Sequence, residues 1–335
     1  MKTYIKHVAE RKTLSETEAT TAFDLIMAGA ATPAQIGALL MGLRVRGETV
    51  EEIAGAAGSM RRHAVFVDPR GLPVIDTCGT GGDGASTFNI STAAALVVAG
   101  AGVPVAKHGN RAVTSKCGSA DVLAALGVNI EAPPDTMEAC LHEFGLAFLY
   151  APALHPAMKH AGAVRRELGT RTIFNVLGPL ANPAGAKCQV LGVFAPELTE
   201  MLAEVLRRLG SKRVFVVHGH DGMDEITTTA RTRVSELHNG RIKTYDLDPL
   251  EFFEALAKPA ELAGGDPAEN AGIIRRILAG EKGPRRNIVC LNAAAGLVAG
   301  GKAENLREGL KLAEAAIDSG RAEEVLQKLA RRTNG

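Results

Sequence analysis

The hydrophobic pattern changes its period once, near residue 70. Before that point apolar residues recur every three or four positions, and three segments open with a hydroxyl residue followed three places later by Glu or Gln: Ser15 with Glu18, Thr32 with Gln35, Thr49 with Glu52. At that spacing the hydroxyl accepts the N3 amide and the N3 side chain reaches back, so each pair predicts a helix start. Pro33 suits a first helical position, and Gly29 and Gly47 stand where helix ends favour positive φ. With a first helix over 2–9, the pattern predicts a small helical domain over 1–70. Its 22–43 segment holds more Ala, Gly, Leu, Ile and Met than four helices can cover. That surface must pack on the rest of the chain or on a second copy.

After a linker marked by Asp68, Pro69 and Gly71, short apolar runs alternate with helical ones. Strands are predicted over 74–76, 103–107, 148–150, 189–194 and 213–218, and helices over 90–99, 120–126, 136–144 and 197–209. This alternation predicts a larger α/β domain over 71–335, with a central mostly parallel sheet flanked by helices. The 156–168 segment reads as a helix, whereas 170–186 is punctuated by proline and is expected to leave the sheet. Asn239-Gly240 between two alternating runs predicts a hairpin, which would add antiparallel strands. From Pro267 onward the pattern is helical, without a repeat.

Composition narrows the class. Hydrophobic residues make up 46% and charged ones 22%, as in a globular chain, and no apolar run is long and charge-free enough to span a bilayer. The charged 1–11 segment lacks a signal-peptide core, so a cytoplasmic location is expected. Lys plus Arg number 38 against 37 Asp plus Glu, which argues against a broad cationic platform for nucleic acid. The five cysteines are widely spaced with no C-x-x-C pair, the usage of free thiols in a reducing compartment.

Chemistry concentrates in four stretches. The first is 76–92, a strand, a loop containing Gly79, Gly81, Gly82 and Gly84, and then a helix start with Ser86, Thr87, Ser91 and Thr92 close by. Glycines admit a ligand to the backbone, and the unpaired amides of a helix start favour phosphate. Gly79, Gly81 and Gly84 satisfy G-x-G-x-x-G, yet 86–130 holds no acid except Asp121 to serve as ribose partner. The P-loop reading fails because Ala85 stands where a lysine is required. The second stretch, 107–121, follows the next strand with Lys107, His108, Asn110, Arg111, Thr114, Ser115, Lys116 and Ser119, and Ser119 is expected to N-cap a helix. Cations and hydroxyls beyond neighbouring strand ends suit a phosphorylated sugar.

The third stretch, HGHDGMDE at 218–225, places the adjacent acids Asp224 and Glu225 after another strand. Hard oxygen ligands beside a polyphosphate point to magnesium, which binds through one or two carboxylates plus substrate phosphates. His218 and His220 raise the possibility of zinc, but no cysteine or third histidine is near in sequence. The fourth contains Arg165, Arg166, Arg171 and Asn175. An arginine fork matches a carboxylate, and sequence alone does not choose among the three. No nucleophile elbow or activated thiol motif is present, so the chemistry expected is positioning and charge stabilisation.

The wording of these stretches is itself recognisable. GTGGD followed by NIST, then KHGNRAVTSKCGSAD from Lys107, VRRELGTRTIFNVLGPLANP from Val164 and DGMDE from Asp221 resemble, in order, motifs of the anthranilate phosphoribosyltransferase family. The resemblance implies a homodimer joined through the N-terminal helical domain, and a segment near 160–187 that returns to that domain. It assigns phosphoribosyl pyrophosphate to Gly79, Gly82, Asp83, Thr87, Asn89, Ile90, Ser91, Thr92, Lys107, His108, Gly109, Asn110, Arg111, Ala112, Val113, Thr114, Ser115 and Ser119. It assigns anthranilate to Gly79, Asn110 and Arg165, and two magnesium ions per monomer to Ser91, Asp224 and Glu225. Cys117 departs from the family, which has a small hydroxyl residue there. The neighbouring readings are a pyrimidine nucleoside phosphorylase, disfavoured by DGMDE and VRRELG, and a noncatalytic nucleic-acid-binding relative, disfavoured by the near-zero charge and the intact acid pair.

Overall fold

A computed structural model describes residues 1–112 and 116–335. Helices α1 (Lys2–Ala9), α2 (Glu16–Met27), α3 (Pro33–Arg46) and α4 (Val50–Arg62) open the chain. All three expected capping boxes form: Ser15, Thr32 and Thr49 hydroxyls accept the amides of Glu18, Gln35 and Glu52, whose side chains return to the cap amides. Gly29 and Gly47 adopt φ of 72° and 92° at the ends of α2 and α3. Glu52 does more than cap, because its buried carboxylate also accepts the Leu14 amide at 2.8 Å and pairs with Arg46.

The chain then alternates through β1 (Ile75–Gly79), α5 (Ile90–Gly100), β2 (Val105–Gly109), α6 (Ser119–Ala125), α7 (Pro134–Phe144) and β3 (Leu146–Tyr150). Short α8 (Ala151–Leu154), α9 (Lys159–Leu168) and α10 (Phe174–Leu180) intervene before β4 (Cys188–Gly192), α11 (Leu198–Arg208) and β5 (Arg213–Gly219). A hairpin of β6 (Thr232–His238) and β7 (Arg241–Leu247) turns at Asn239 and Gly240, both at positive φ. Four helices close the chain: α12 (Pro267–Leu278), α13 (Pro284–Ala299), α14 (Leu306–Asp318) and α15 (Arg321–Asn334).

Several boundaries differ from the expected ones for physical reasons. Strand β1 runs to Gly79, not Asp76, because polar Thr77 and Cys78 still pair with Val190 and Leu191 of β4. The 156–168 helix is interrupted, since Pro156–Met158 forms a 3-10 turn ahead of α9. The proline-rich 170–186 stretch holds one short helix, with Pro179 in its last turn. Ser119 is not the N-cap of α6; Gly118 holds that position, Ser119 is the first helical residue, and its hydroxyl donates to the Asn110 carbonyl. The capping role passes to Asp121, whose carboxylate accepts the Gly118 and Ala112 amides, both at 2.9 Å.

The seven strands are ordered β3-β2-β1-β4-β5-β6-β7, with β1 to β5 mutually parallel and β6 and β7 antiparallel. Both faces are covered, as a parallel sheet requires. Ile75, Val105, Phe148, Val190 and Phe215 pack under α5 and α13, while Cys78, Leu191, Val214 and Val216 on the other face join the core of α2, α3, α4 and α11. Helices α9 and α10 lie with that second core, and Phe174 meets Phe23 edge-on at 5.6 Å. The chain runs from β1 outward to β3 and returns to β4 on the other side of β1, so a topological switch falls between β1 and β4. Open α/β sheets bind ligands beyond the strand C-termini at such a point.

Candidate active site

The loop after β1 stands at that switch. A Cβ on Gly79 would collide with the Asp224 carboxylate, and one on Gly192 would occupy the place of the Asp224 carbonyl, so only glycines let the 220–225 loop approach. Thr80 is tied to β4 and its exit, its amide donating to Gly192 O at 2.9 Å and its hydroxyl accepting from the Phe194 amide at 3.1 Å. Gly81, Gly82 and Gly84 all take positive φ. The Gly81 amide donates to Asp224 Oδ2 at 2.8 Å, and Arg171 donates to the Gly82 carbonyl at 2.6 Å. Asp83 accepts the Ala85 amide, and Thr87 bridges to Ala263. Asn89 precedes α5 and is held by Asn270 and by Cys117, whose thiol donates to Asn89 Oδ1 at 3.3 Å.

At the start of α5, Ile90 and Thr92 are buried and the Ser91 amide donates to Glu225 Oε1 at 3.1 Å. Lys107 sends a buried ammonium beneath the loop, bonding the Thr77 carbonyl and lying 3.5 Å from Ser91 Oγ. Burial lowers its pKa, against the pull of Asp76 and the acids at 224–225. His108 donates its amide to Asp76, and its ring Nδ1 lies 3.0 Å from Gly178 O of α10. Asp76 is fully buried and also accepts Asn182 Nδ2 at 2.7 Å, which ties 170–186 to the strand ends. The His108 and His155 rings lie 5.0 Å apart, and burial pushes their pKa values down to about 3 and about 4, so both are neutral. Beyond Gly109, Asn110 Oδ1 accepts the Arg111 amide, while Arg111 extends to Asp121 at 2.9 Å. Val113, Thr114 and Ser115 lie outside the described residues.

Asp224 and Glu225 are half-buried. Burial, then Glu225, then Asp83 raise the Asp224 pKa well above its ordinary value, and burial raises that of Glu225 to about 7 despite Lys107. Two carboxylates crowded beside a hydroxyl, with no ion pair to Lys or Arg among the described residues, fit a divalent cation. Among the described residues no three Asp, Glu, His or Cys side chains converge, so these two acids alone would leave a cation's remaining ligands to be supplied by other oxygens. The histidines that suggested zinc are separated: His218 bonds Val193 O and His220 meets Asp246.

The three arginines are now distinguishable. Arg166 is exposed, and Arg171 is committed to Gly82 and to the Phe194 ring at 4.0 Å. Arg165 is half-buried over the Phe174 ring at 5.0 Å, with no hydrogen-bond acceptor among the described residues and a pKa lowered by burial. A half-buried guanidinium with no acceptor among the described residues can receive a carboxylate through its fork of donors. Asn175 closes a turn by accepting the Thr172 amide. Asp76, Asn182 and His155, which sequence reasoning did not single out, were hidden because their partners lie far away along the chain.

Residues 2–64 match the helical bundle domain of a glycosyl transferase family, and 71–323 match the a/b domain of that family. The chain is 59% identical over 326 residues to an anthranilate phosphoribosyltransferase of Desulfosudis oleivorans, covering 97% of this chain and 96% of that protein. It is 56% identical to one from Syntrophobacter fumaroxidans, covering 98% of each. The crystal structure of the enzyme of that name from Thermus thermophilus superposes with a TM-score of 0.94 at 46% identity, covering 99% of each chain. The Saccharomyces cerevisiae enzyme in complex with PRPP and Mg does so with a TM-score of 0.89 at 31% identity, covering 99% of this chain and 97% of that one.

Proposed function

The chain belongs to the anthranilate phosphoribosyltransferases of this glycosyl transferase family, and from that premise we propose how its cleft performs their reaction. The activity is transfer of the 5-phosphoribosyl group from phosphoribosyl pyrophosphate to the amine of anthranilate, a step of tryptophan biosynthesis. The observation that carries the reading is the convergence, beyond the C-terminal ends of the parallel strands, of the glycine loop, the α5 amides and the Asp224–Glu225 pair.

The donor is held by Gly79, Gly82, Asp83, Thr87, the 89–92 helix start, residues 107–115 and Ser119. Its diphosphate faces unpaired amides and the buried Lys107 ammonium. Ser91, Asp224 and Glu225 would hold two magnesium ions, whose chemistry there would be to offset negative charge on the diphosphate. Arg165 takes the anthranilate carboxylate, with Gly79 and Asn110 lining the same seat. The ribose C1–O bond breaks and a C1–N bond forms, while pyrophosphate leaves with the bonding pair. The aromatic amine is already a neutral nucleophile, so alignment rather than deprotonation is the requirement. We further propose that 1–70, joined by 160–187, forms a helical domain on the 71–335 donor domain, and that two chains pair through it in the cytoplasm.

Loss of anthranilate fluorescence on mixing with phosphoribosyl pyrophosphate and magnesium tests the reaction; release of base from a pyrimidine nucleoside by phosphate would point to the phosphorylase instead. Arg165→Ala is expected to raise the Michaelis constant for anthranilate about ten- to a hundredfold and to leave that for the donor unchanged. An unaltered constant for anthranilate overturns the acceptor assignment.

A further inference from the structure

We propose that Arg171 is a positioning residue: by fixing the Gly82 carbonyl it holds the glycine loop in the shape that offers amides to the donor diphosphate. The proposal rests on the reading of that loop as the diphosphate seat. Among the described residues, only two hydrogen bonds from outside the loop reach the backbone of 81–84, one from Gly81 to Asp224 and one from Arg171 to Gly82 O. The remaining geometry is intrinsically free to rearrange, because Gly82 and Gly84 flank Asp83 with φ of 76° and 73°.

The peptide joining Gly82 to Asp83 is planar and trans, so turning its carbonyl toward Arg171 turns the Asp83 N–H the opposite way. The amides of Gly82, Asp83 and Gly84 have no acceptor among the described residues, which leaves them available to an anion. Arg171 is exposed, yet its guanidinium is fixed twice, by the Gly82 carbonyl and by the face of Phe194. Phe194 in turn donates its amide to Thr80, so the arginine, the ring and both ends of the Thr80–Gly82 turn make one closed set of contacts. Arg171 also follows α9, which carries Arg165, and precedes Phe174, on which Arg165 rests. One stretch of chain therefore bears both the acceptor seat and the fastener of the donor loop.

The experiment compares Arg171→Ala, Arg171→Gln and Arg171→Lys by steady-state kinetics and by amide hydrogen exchange of 79–86 in the substrate-free protein. Arg171→Ala is expected to raise the Michaelis constant for the donor about tenfold, the loss of one charge-assisted bond, with that for anthranilate and the thermal midpoint unchanged. Exchange across the loop should quicken. Arg171→Gln, which keeps an N–H for the Gly82 carbonyl, should recover most of the donor affinity. Full affinity in Arg171→Lys but not Arg171→Gln, with loop exchange unmoved, would mean direct charge contact with phosphate and overturn the proposal, as would no change in any variant. Because the exchange needs no substrate, an inactive wild type with a loosened Arg171→Ala loop would overturn only the functional reading.

Discussion

Asp224 and Glu225 are the side chains whose charge and surroundings are most opposed. Taken from the sequence they are loop acids, and such acids are ordinarily exposed and of little consequence for stability. In the fold both are half-buried, Asp224 against Gly79 and Gly192, and each is pushed toward its protonated form. Burying their charges, and for Asp224 the nearby charge of Glu225, is therefore a cost that the metal-free protein bears. Asp224→Asn with Glu225→Gln keeps an oxygen for the Gly81 and Ser91 amides while removing both charges. The double variant should melt no lower than the wild type without magnesium, and turnover should fall on the order of a hundredfold or more. A lower metal-free melting temperature, or unchanged turnover at saturating donor, contradicts this account. The pair was legible because two adjacent acids after a strand are visible in any reading. Arg165 was one of three arginines on its residue type alone and was singled out only by the family resemblance; in the fold it is set apart by its half-buried place over Phe174. The Asp76–Asn182 bond, spanning 106 positions, left no local trace.

At the scale of the element, most of what could be read locally was read well, the Ser119 cap of α6 being the exception. Capping boxes, helix-ending glycines and the Asn239-Gly240 turn act within four residues, and each formed where its residues stand. Elements shaped by distant partners were less legible: β1 extends through polar Thr77 and Cys78 because β4 supplies the ladder, and α10 forms around Pro179 because the bundle side holds it. The same distinction divides the capping boxes. Glu18 caps its own helix at the surface, with His7 of α1 3.5 Å away, whereas Glu52 is fully buried and joins the Leu14 amide, the Thr49 amide and Arg46. Glu18→Ala should cost about 1 kcal/mol, the value of a cap. Glu52→Ala leaves two amides without their acceptor and Arg46 without its ion pair, holding only the Lys12 and Gly47 carbonyls, and should cost about 3 kcal/mol or more. Urea unfolding of the two variants measures both, and equal losses would mean that Glu52 is merely a second cap.

The whole molecule is organised by which core the N-terminal helices join. Their apolar surplus was expected to be covered by the rest of the chain or by a second copy, and much of it is covered within the chain: Phe23, Ile26, Leu39, Leu40 and Leu43 share a core with α9, α10, α11 and one face of the sheet. Covering the sheet's second face with the bundle also brings Arg165 and Arg171 toward the strand ends. A smaller apolar remainder stays outside, with Met1, Tyr4 and Ile5 only partly buried and Val45 at 74% exposure near the end of α3. Helices α1 and α3 pack together, so this remainder would be the surface by which the helical unit meets a second copy if the proposed dimer forms. A twofold contact there would leave the strand ends and the glycine loop open to substrate. Light scattering at micromolar concentration should give twice the 35.0 kDa chain mass. Val45→Glu would place a charge in that contact and should shift the protein toward monomer without lowering its thermal midpoint, since Val45 packs little within its own chain. A wild type that is monomeric at this concentration removes the dimer and leaves the site assignments standing, because every residue proposed to touch donor or acceptor comes from one chain.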